Sequence, residues 1–225
     1  MSENLGAGDL AGEVVAAPDR HGADSIAPEP RRPAGERTSR VGFVVDVVGY
    51  GERSLLAQEH LQTRLQALLR HVVADVGGDL DEVDHDSGAG DGLVVFLPTG
   101  ADPTRLVPEL LRSAAERLTA DNVLHSDRIR LRMAVGSGVV RPGGNGFAGP
   151  LVVNVSRLVD SVPLRRAARE NPDSDLVVLV LDAVHRDVIG PGYVPLSVDR
   201  FQVVDVAMKE FAEQAWLWVS TTQGR

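Results

Sequence analysis

Val41-Gly42-Phe43-Val44-Val45-Asp46-Val47-Val48-Gly49-Tyr50-Gly51 sets one carboxylate in the middle of an apolar run. A run this hydrophobic reads as a strand buried on both faces. An ionised carboxylate there is costly unless it is paired, hydrogen-bonded or bound to a cation. A second such place follows at Gly90-Asp91-Gly92, directly before Leu93-Val94-Val95-Phe96-Leu97. If the two strands lie side by side, Asp46 and Asp91 can point at one ion.

Outward from this strand the chain is well punctuated. Residues 1 to about 39 are rich in Gly, Ala, Pro, Glu and Arg and lack periodicity. Such a segment buries too little surface to offset its ordering entropy, so it is expected to be a disordered tail before a single domain at 40–221. Leu61, Leu65, Leu68, Leu69, Val72, Val73 and Val76 recur at helical spacing and predict a helix from Ser54 to Val76, stopped by Gly77-Gly78. A weakly alternating stretch, Leu80 to Asp86, and the Gly88–Gly92 bend predict a hairpin into the Leu93–Leu97 strand.

Thr104 to Thr119 reads as a second helix and Ile129 to Val140 as a long strand. A turn-rich stretch, Arg141 to Gly149, leads to helices at about Pro150 to Asp160 and Leu164 to Arg169. Leu176 to Leu181 is a strand, Ala183 to Ile189 a short helix, and Phe201–Val206 with Ala215–Val219 a closing hairpin. This order predicts an α+β, ferredoxin-like sandwich: a mixed, mostly antiparallel sheet with helices mainly on one face.

Composition narrows the function classes. Apolar residues make up 43% of the 225, enough for a core, but only 4% are aromatic, so Val, Leu and Ala must fill it. A formal charge of −9 leaves no broad basic face for nucleic acid or anionic membranes. The absence of cysteine excludes disulfides and thiolate zinc sites and suits a cytoplasmic protein. No run approaches membrane-spanning length, so no membrane insertion is expected.

Three stretches then carry a resemblance. Phe43-Val44-Val45-Asp46-Val47-Val48-Gly49-Tyr50, Gly90-Asp91-Gly92-Leu93-Val94-Val95-Phe96 and Leu131-Arg132-Met133-Ala134-Val135-Gly136-Ser137-Gly138 resemble successive motifs of class III adenylyl/guanylyl cyclases. Gly149 to Leu158 is similar to that family's Asn- and Arg-bearing helix, and Lys209 before Trp216-Leu217-Trp218-Val219 to its C-terminal phosphate lysine. The likeness spans roughly residues 40 to 220.

The resemblance implies that Asp46 and Asp91 bind two Mg²⁺ or Mn²⁺ ions, with the Val47 carbonyl as a further ligand. It implies that the loop opening with Val48, Gly49, Tyr50 and Gly51 and running to Arg53 wraps a nucleoside triphosphate, that Lys209 meets its phosphates, and that Asn154 and Arg157 serve the transition state. The implied reaction forms a 3′,5′-cyclic nucleotide and pyrophosphate, in a homodimer whose subunits share each site.

Two departures qualify this. The family places its Asn four residues before the Arg; here Val153 holds that position and Asn154 lies three before Arg157. One position turns a side chain about 100° around a helix. Either a local irregularity restores Asn154 to the cleft or the site is impaired. The adenine-selecting lysine of adenylyl enzymes sits four residues before the second metal Asp, where this chain has Ser87. Guanine, a pyrimidine or no base all stay open; some bacterial enzymes of the superfamily make cyclic pyrimidine nucleotides in antiphage defence.

Other signals are weaker. Gly144-Asn145-Gly146-Phe147-Ala148-Gly149 is a literal G-x-G-x-x-G, but it lies late, and Glu170 at the acid's spacing falls in a polar turn. The six histidines lack metal-ligand spacing. Arg165-Arg166-Ala167-Ala168-Arg169 reads as a solvated face before a partner surface. An alternative of a different class is a catalytically degenerate cyclase-fold module for nucleotide sensing or protein interaction.

Overall fold

The structure, a computed structural model, describes residues 36–81, 84–86, 91–143, 146–192, 198–208 and 211–221. The tail expected over 1–39 falls outside them up to residue 35. β1 (Thr38–Val47) begins inside its expected end. A 3₁₀ turn (Tyr50–Glu52) leads to α1 (Leu55–Asp75). β2 (Asp84–Asp86) and β3 (Gly92–Phe96) precede α2 (Pro103–Leu124). β4 (Leu131–Gly143) and β5 (Gly146–Ala148) precede α3 (Pro150–Val159) and α4 (Val162–Glu170). After β6 (Leu176–Leu181), an α-helical turn at Asp182–Val184 runs into a π-helical turn at His185–Ile189. β7 (Gln202–Met208) and β8 (Phe211–Val219) close the sheet.

The strand order is β2-β3-β1-β4-β6-β8-β7, with β5 paired to β4. Only β4 and β6 run parallel among the described pairs; the rest are antiparallel. The sheet is thus mixed and mostly antiparallel, as its sequence order predicts.

Local chemistry starts the helices where expected. Ser54 caps α1 by accepting the Ala57 N–H, and Asp102 caps α2 by accepting the Thr104 N–H. Along α1, Leu61, Leu65, Leu68, Leu69, Val72 and Val73 form one buried stripe. Full burial of each such side chain is worth about 2 kcal/mol.

The helices cover both faces of the sheet, which corrects the expectation of one. α1 and α2 pack with Phe43, Val45, Val95, Met133 and Val178 in one layer. α3 and α4 pack with Val44, Ala134, Leu179, Val206 and Ala215 in the other. The cause lies in β6, apolar and buried throughout, and in the buried Val41–Val45 stretch of β1, which leave no face fit for water. Gly136 lets α3 approach closely, because a Cβ there would meet Leu181 Cδ1 at 2.5 Å and Leu151 Cδ1 at 2.8 Å.

The turn-rich stretch is also reorganised. β4 continues to Gly143 and pairs antiparallel with β5 through Arg141↔Ala148 and Pro142↔Phe147. Gly144 and Asn145 lie outside the described residues. The flanking residues of the G-x-G-x-x-G stretch therefore belong to a hairpin, not to the β-to-α turn of a dinucleotide fold.

Candidate functional site

β1 carries the site because it sits between β3 and β4. Asp46 is opposite Gly92 on one side and Arg132 on the other. The Val47 N–H donates to the Asp91 carbonyl at 2.9 Å, so Asp91, just before β3, lies at the same end of the sheet as Asp46 on β1. Gly92 is required by this closeness: a Cβ there would stand 2.7 Å from the Val45 carbonyl oxygen. The Asp-Gly pair thus marks a close backbone approach beside β1 as well as a turn.

Arg132 was not expected as a site residue, and it holds the centre. Its Nη2 donates to Asp46 Oδ2, making an ion pair whose side chains are 14% and 18% exposed. Burial pushes the Asp46 carboxyl above its ordinary range, the Arg132 hydrogen bond and charge oppose this, and the charges of Asp91 and Asp160 reinforce it. Arg132 Nε is buried with no partner among the described residues. Asp160 follows α3, so the end of that helix adds a third carboxylate field at this corner.

The start of β4, which presents Arg132, is firmly held. The Asn122 side chain accepts from Ile129 N–H and donates to Ile129 C=O, both at 2.7 Å. Arg128 reaches Asp175 at 2.6 Å and the carbonyls of Pro172 and Asp173.

The loop after β1 is built for a sharp turn. Gly49 has φ +70°, and Arg53 Nη1 donates to the carbonyls of Val48 (3.2 Å) and Gly49 (2.8 Å). Arg53 Nη2 also reaches the Arg128 carbonyl at 3.1 Å and Asp127 at 3.4 Å. The Val48 N–H is already used by the Arg130 carbonyl at 2.9 Å. The Tyr50 hydroxyl accepts from Gln62 Nε2 at 2.6 Å, and its ring packs on the α1–α2 layer. Of the loop residues Val48, Gly49, Tyr50 and Gly51, only Gly51 is exposed.

Asn154 and Arg157 lie on α3, which is regular throughout, with no bulge to restore a spacing of four. Leu151, Val155, Leu158 and Val159 face the core, while Val153 is 45% exposed and Asn154 and Arg157 are half-buried. At a separation of three, Asn154 and Arg157 still share a flank of the helix. Arg157 lies 5.9 Å from the Phe211 ring centroid at the start of β8. The structure brings the Asp91 main chain beside Asp46, and Asn154 and Arg157 lie on α3, the helix that Asp160 follows. Ser87 and Lys209 lie outside the described residues.

The donor set suits a hard divalent cation. Asp46 is partly buried and Asp91 lies just before the neighbouring strand, so two carboxylates stand at one end of the sheet. Among the described residues no group of three His, Asp or Glu side chains surrounds an ion position. A bound ion would thus rely on Asp46, Asp91 and main-chain oxygen such as that of Val47, whose side chain is buried, with the remaining positions left to water or substrate.

Sequence reasoning missed Arg132 and Asp160 as parts of this corner, and took Arg53 only as the end of the loop expected to wrap the triphosphate. Arg132 carries the signal that singled out Asp46, a lone charge in an apolar strand, but only the β1–β4 register reveals that the two face each other. Asp160 and Arg53 carry no comparable signal, since each is a polar residue next to a helix end.

No protein-family model matches the sequence, and no curated protein matches it. Solved structures do match. The adenylyl cyclase CyaB from P. aeruginosa is 16% identical, with a TM-score of 0.57 over 84% of this chain and 96% of that one. An adenylate/guanylate cyclase/hydrolase from Silicibacter pomeroyi is 17% identical, with a TM-score of 0.55 over 83% and 99%. The monomeric guanylyl cyclase domain of the RhoGC fusion protein from the aquatic fungus Blastocladiella emersonii is 13% identical, with a TM-score of 0.55 over 83% and 98%. The chain has the fold of adenylyl and guanylyl cyclase domains.

Proposed function

We propose that the chain is a metal-dependent nucleotide cyclase, a divergent bacterial member of class III acting in signalling or antiphage defence in the cytoplasm. The observation that carries this reading is the placement of Asp46 and Asp91 at one end of the sheet, beside the Gly49 turn, within a cyclase fold. Asp46, Asp91 and the Val47 carbonyl hold Mg²⁺ or Mn²⁺, and the ions when bound lower the cost of charge on the attacking and leaving oxygens. The Gly49–Gly51 main chain and Lys209 receive the triphosphate, and Ser87 takes the sequence position of the base-reading residue. The ribose 3′-oxygen attacks the α-phosphorus; its proton passes to solvent, the new O–P bond closes the ring, and the bond to pyrophosphate breaks.

In this reading Asn154 and Arg157 serve the site of a second copy. Val153 of α3 (45% exposed) and Val139 of β4 (49% exposed) offer apolar surface to a two-fold homodimer. Among the described residues no helix is long and apolar enough to cross a membrane.

The test is a panel of the four nucleoside triphosphates with Mn²⁺, read for pyrophosphate and cyclic product. One nucleotide should turn over, and Asp46→Ala should abolish it; no product from any would sink the enzyme reading. The degenerate-module reading draws on a specific observation, the regular α3 that keeps Val153 at the Asn position. It predicts nucleotide-induced thermal stabilisation without product.

A further inference from the structure

Arg132 and Asp46 form a buried pair where the proposed function needs a cation. Three features make this pair more than an ordinary cross-strand contact. The two residues are direct partners in the β1–β4 register, so their closeness is fixed by the main chain and not by flexible side chains alone. Asp46 accepts a hydrogen bond from Arg132 Nη2, and the charges of Asp91 and Asp160 act against its own. The guanidinium is committed through Nη2, while its Nε is buried with no partner among the described residues.

We infer that Arg132 is a resident counter-ion of Asp46, which a divalent cation must displace to bind. This rests on the reading of Asp46 as a metal ligand. Without a divalent ion the guanidinium neutralises a partly buried carboxylate that the β1–β4 register sets directly opposite it. A divalent ion at Asp46 and Asp91 takes over that neutralisation and releases Arg132. Arg132 therefore sets the threshold of metal affinity. It acts through Asp46 and is a positioning residue, one that keeps the metal-free sheet end intact at the expense of tight metal binding.

The experiment measures Mn²⁺ binding by the loss of the free-ion electron paramagnetic resonance signal at pH 8, without nucleotide, in wild type, Arg132→Met and Asp46→Asn. Arg132→Met should tighten Mn²⁺ by about tenfold, the effect of removing one competing charge contact. Asp46→Asn should lose the site. Equal or weaker Mn²⁺ binding by Arg132→Met, with Asp46→Asn still deficient, overturns the counter-ion role alone. Unchanged binding by Asp46→Asn overturns the metal reading itself. Should Arg132→Met not fold, the wild-type chain still decides: addition of Mg²⁺ should shift the Arg132 Nε–Hε resonance, and an unmoved resonance at saturating Mg²⁺ refutes displacement.

Discussion

Trp216 lies flat against His185, with ring centroids 3.5 Å apart and planes 5° from parallel. The Trp216 indole N–H donates to Asp182 at 2.9 Å, and Phe201 closes the other approach at 5.7 Å. His185 is buried at the start of the π-helical turn, with no partner for Nε2 among the described residues. Burial lowers its pKa from 6.5, against a smaller upward pull from Asp182. The unfolded chain therefore takes the proton first. Its stabilising contribution is complete above a pH of about 6.5 and falls as pH drops through the folded-state pKa. Urea midpoints should fall between pH 7.5 and 5, and His185→Phe should flatten that slope.

Asp75 ties α1 to α2 by accepting from Arg117 at 2.5 and 2.6 Å and from Ser113 at 2.5 Å. The Arg117 hydrogen bonds, then Ser113, hold its carboxyl down to about 2. This contribution is present above the ordinary carboxylate range and is lost as pH falls through about 2. The pair is partly exposed, so solvent screening limits its worth. Asp75→Asn should cost about 1 kcal/mol in urea denaturation at pH 7.

Gly92→Ala should be disproportionately harmful for so small a change. The new methyl would meet the Val45 carbonyl at 2.7 Å, and backbone cannot yield as a side chain can. β3 must move from β1, at a cost of about 2 kcal/mol, and Asp91 moves with it. Thermal unfolding should show the loss, and Mn²⁺ affinity should fall together with stability. A variant that binds Mn²⁺ normally would separate Asp91 from the site.

Arg53 pins the Val48–Gly49 carbonyls to the Arg128 main chain across the molecule. Arg53→Gln should weaken nucleotide affinity by about tenfold through loss of a set loop shape, with kcat little changed. Nucleotide-dependent thermal shifts check this without requiring turnover.

Val153→Asn restores an amide four residues before Arg157 on a regular helix. If the four-residue geometry serves the transition state, turnover should rise by about tenfold, and Asn154→Ala in that background should change little. Comparing kcat for the single and double variants tests which of the two positions the reaction uses.

Much of the fold was legible because burial leaves periodic traces. The α1 stripe, the Ser54 cap and the uninterrupted Leu176–Leu181 run each specify an element with its limits. The second helical layer was less legible, since the periodicity of α3 and α4 marks a buried side but not which face of the sheet receives it. The site divides the same way. Asp46 and Asp91 stood out because charge is rare in apolar strands. Their true neighbour, Arg132, follows only from strand register, a relation between residues far apart in the chain. The flank that Asn154 and Arg157 share depends on how α3 is rolled against Gly136, which no local pattern encodes.

The close approach at Gly136 has a mechanical meaning. With no room for even a methyl between α3 and β4, the helix has little freedom to roll or slide on its strand. α3 and β4 would travel together as one lever, carrying Arg132 near one end and Asn154 and Arg157 along its length.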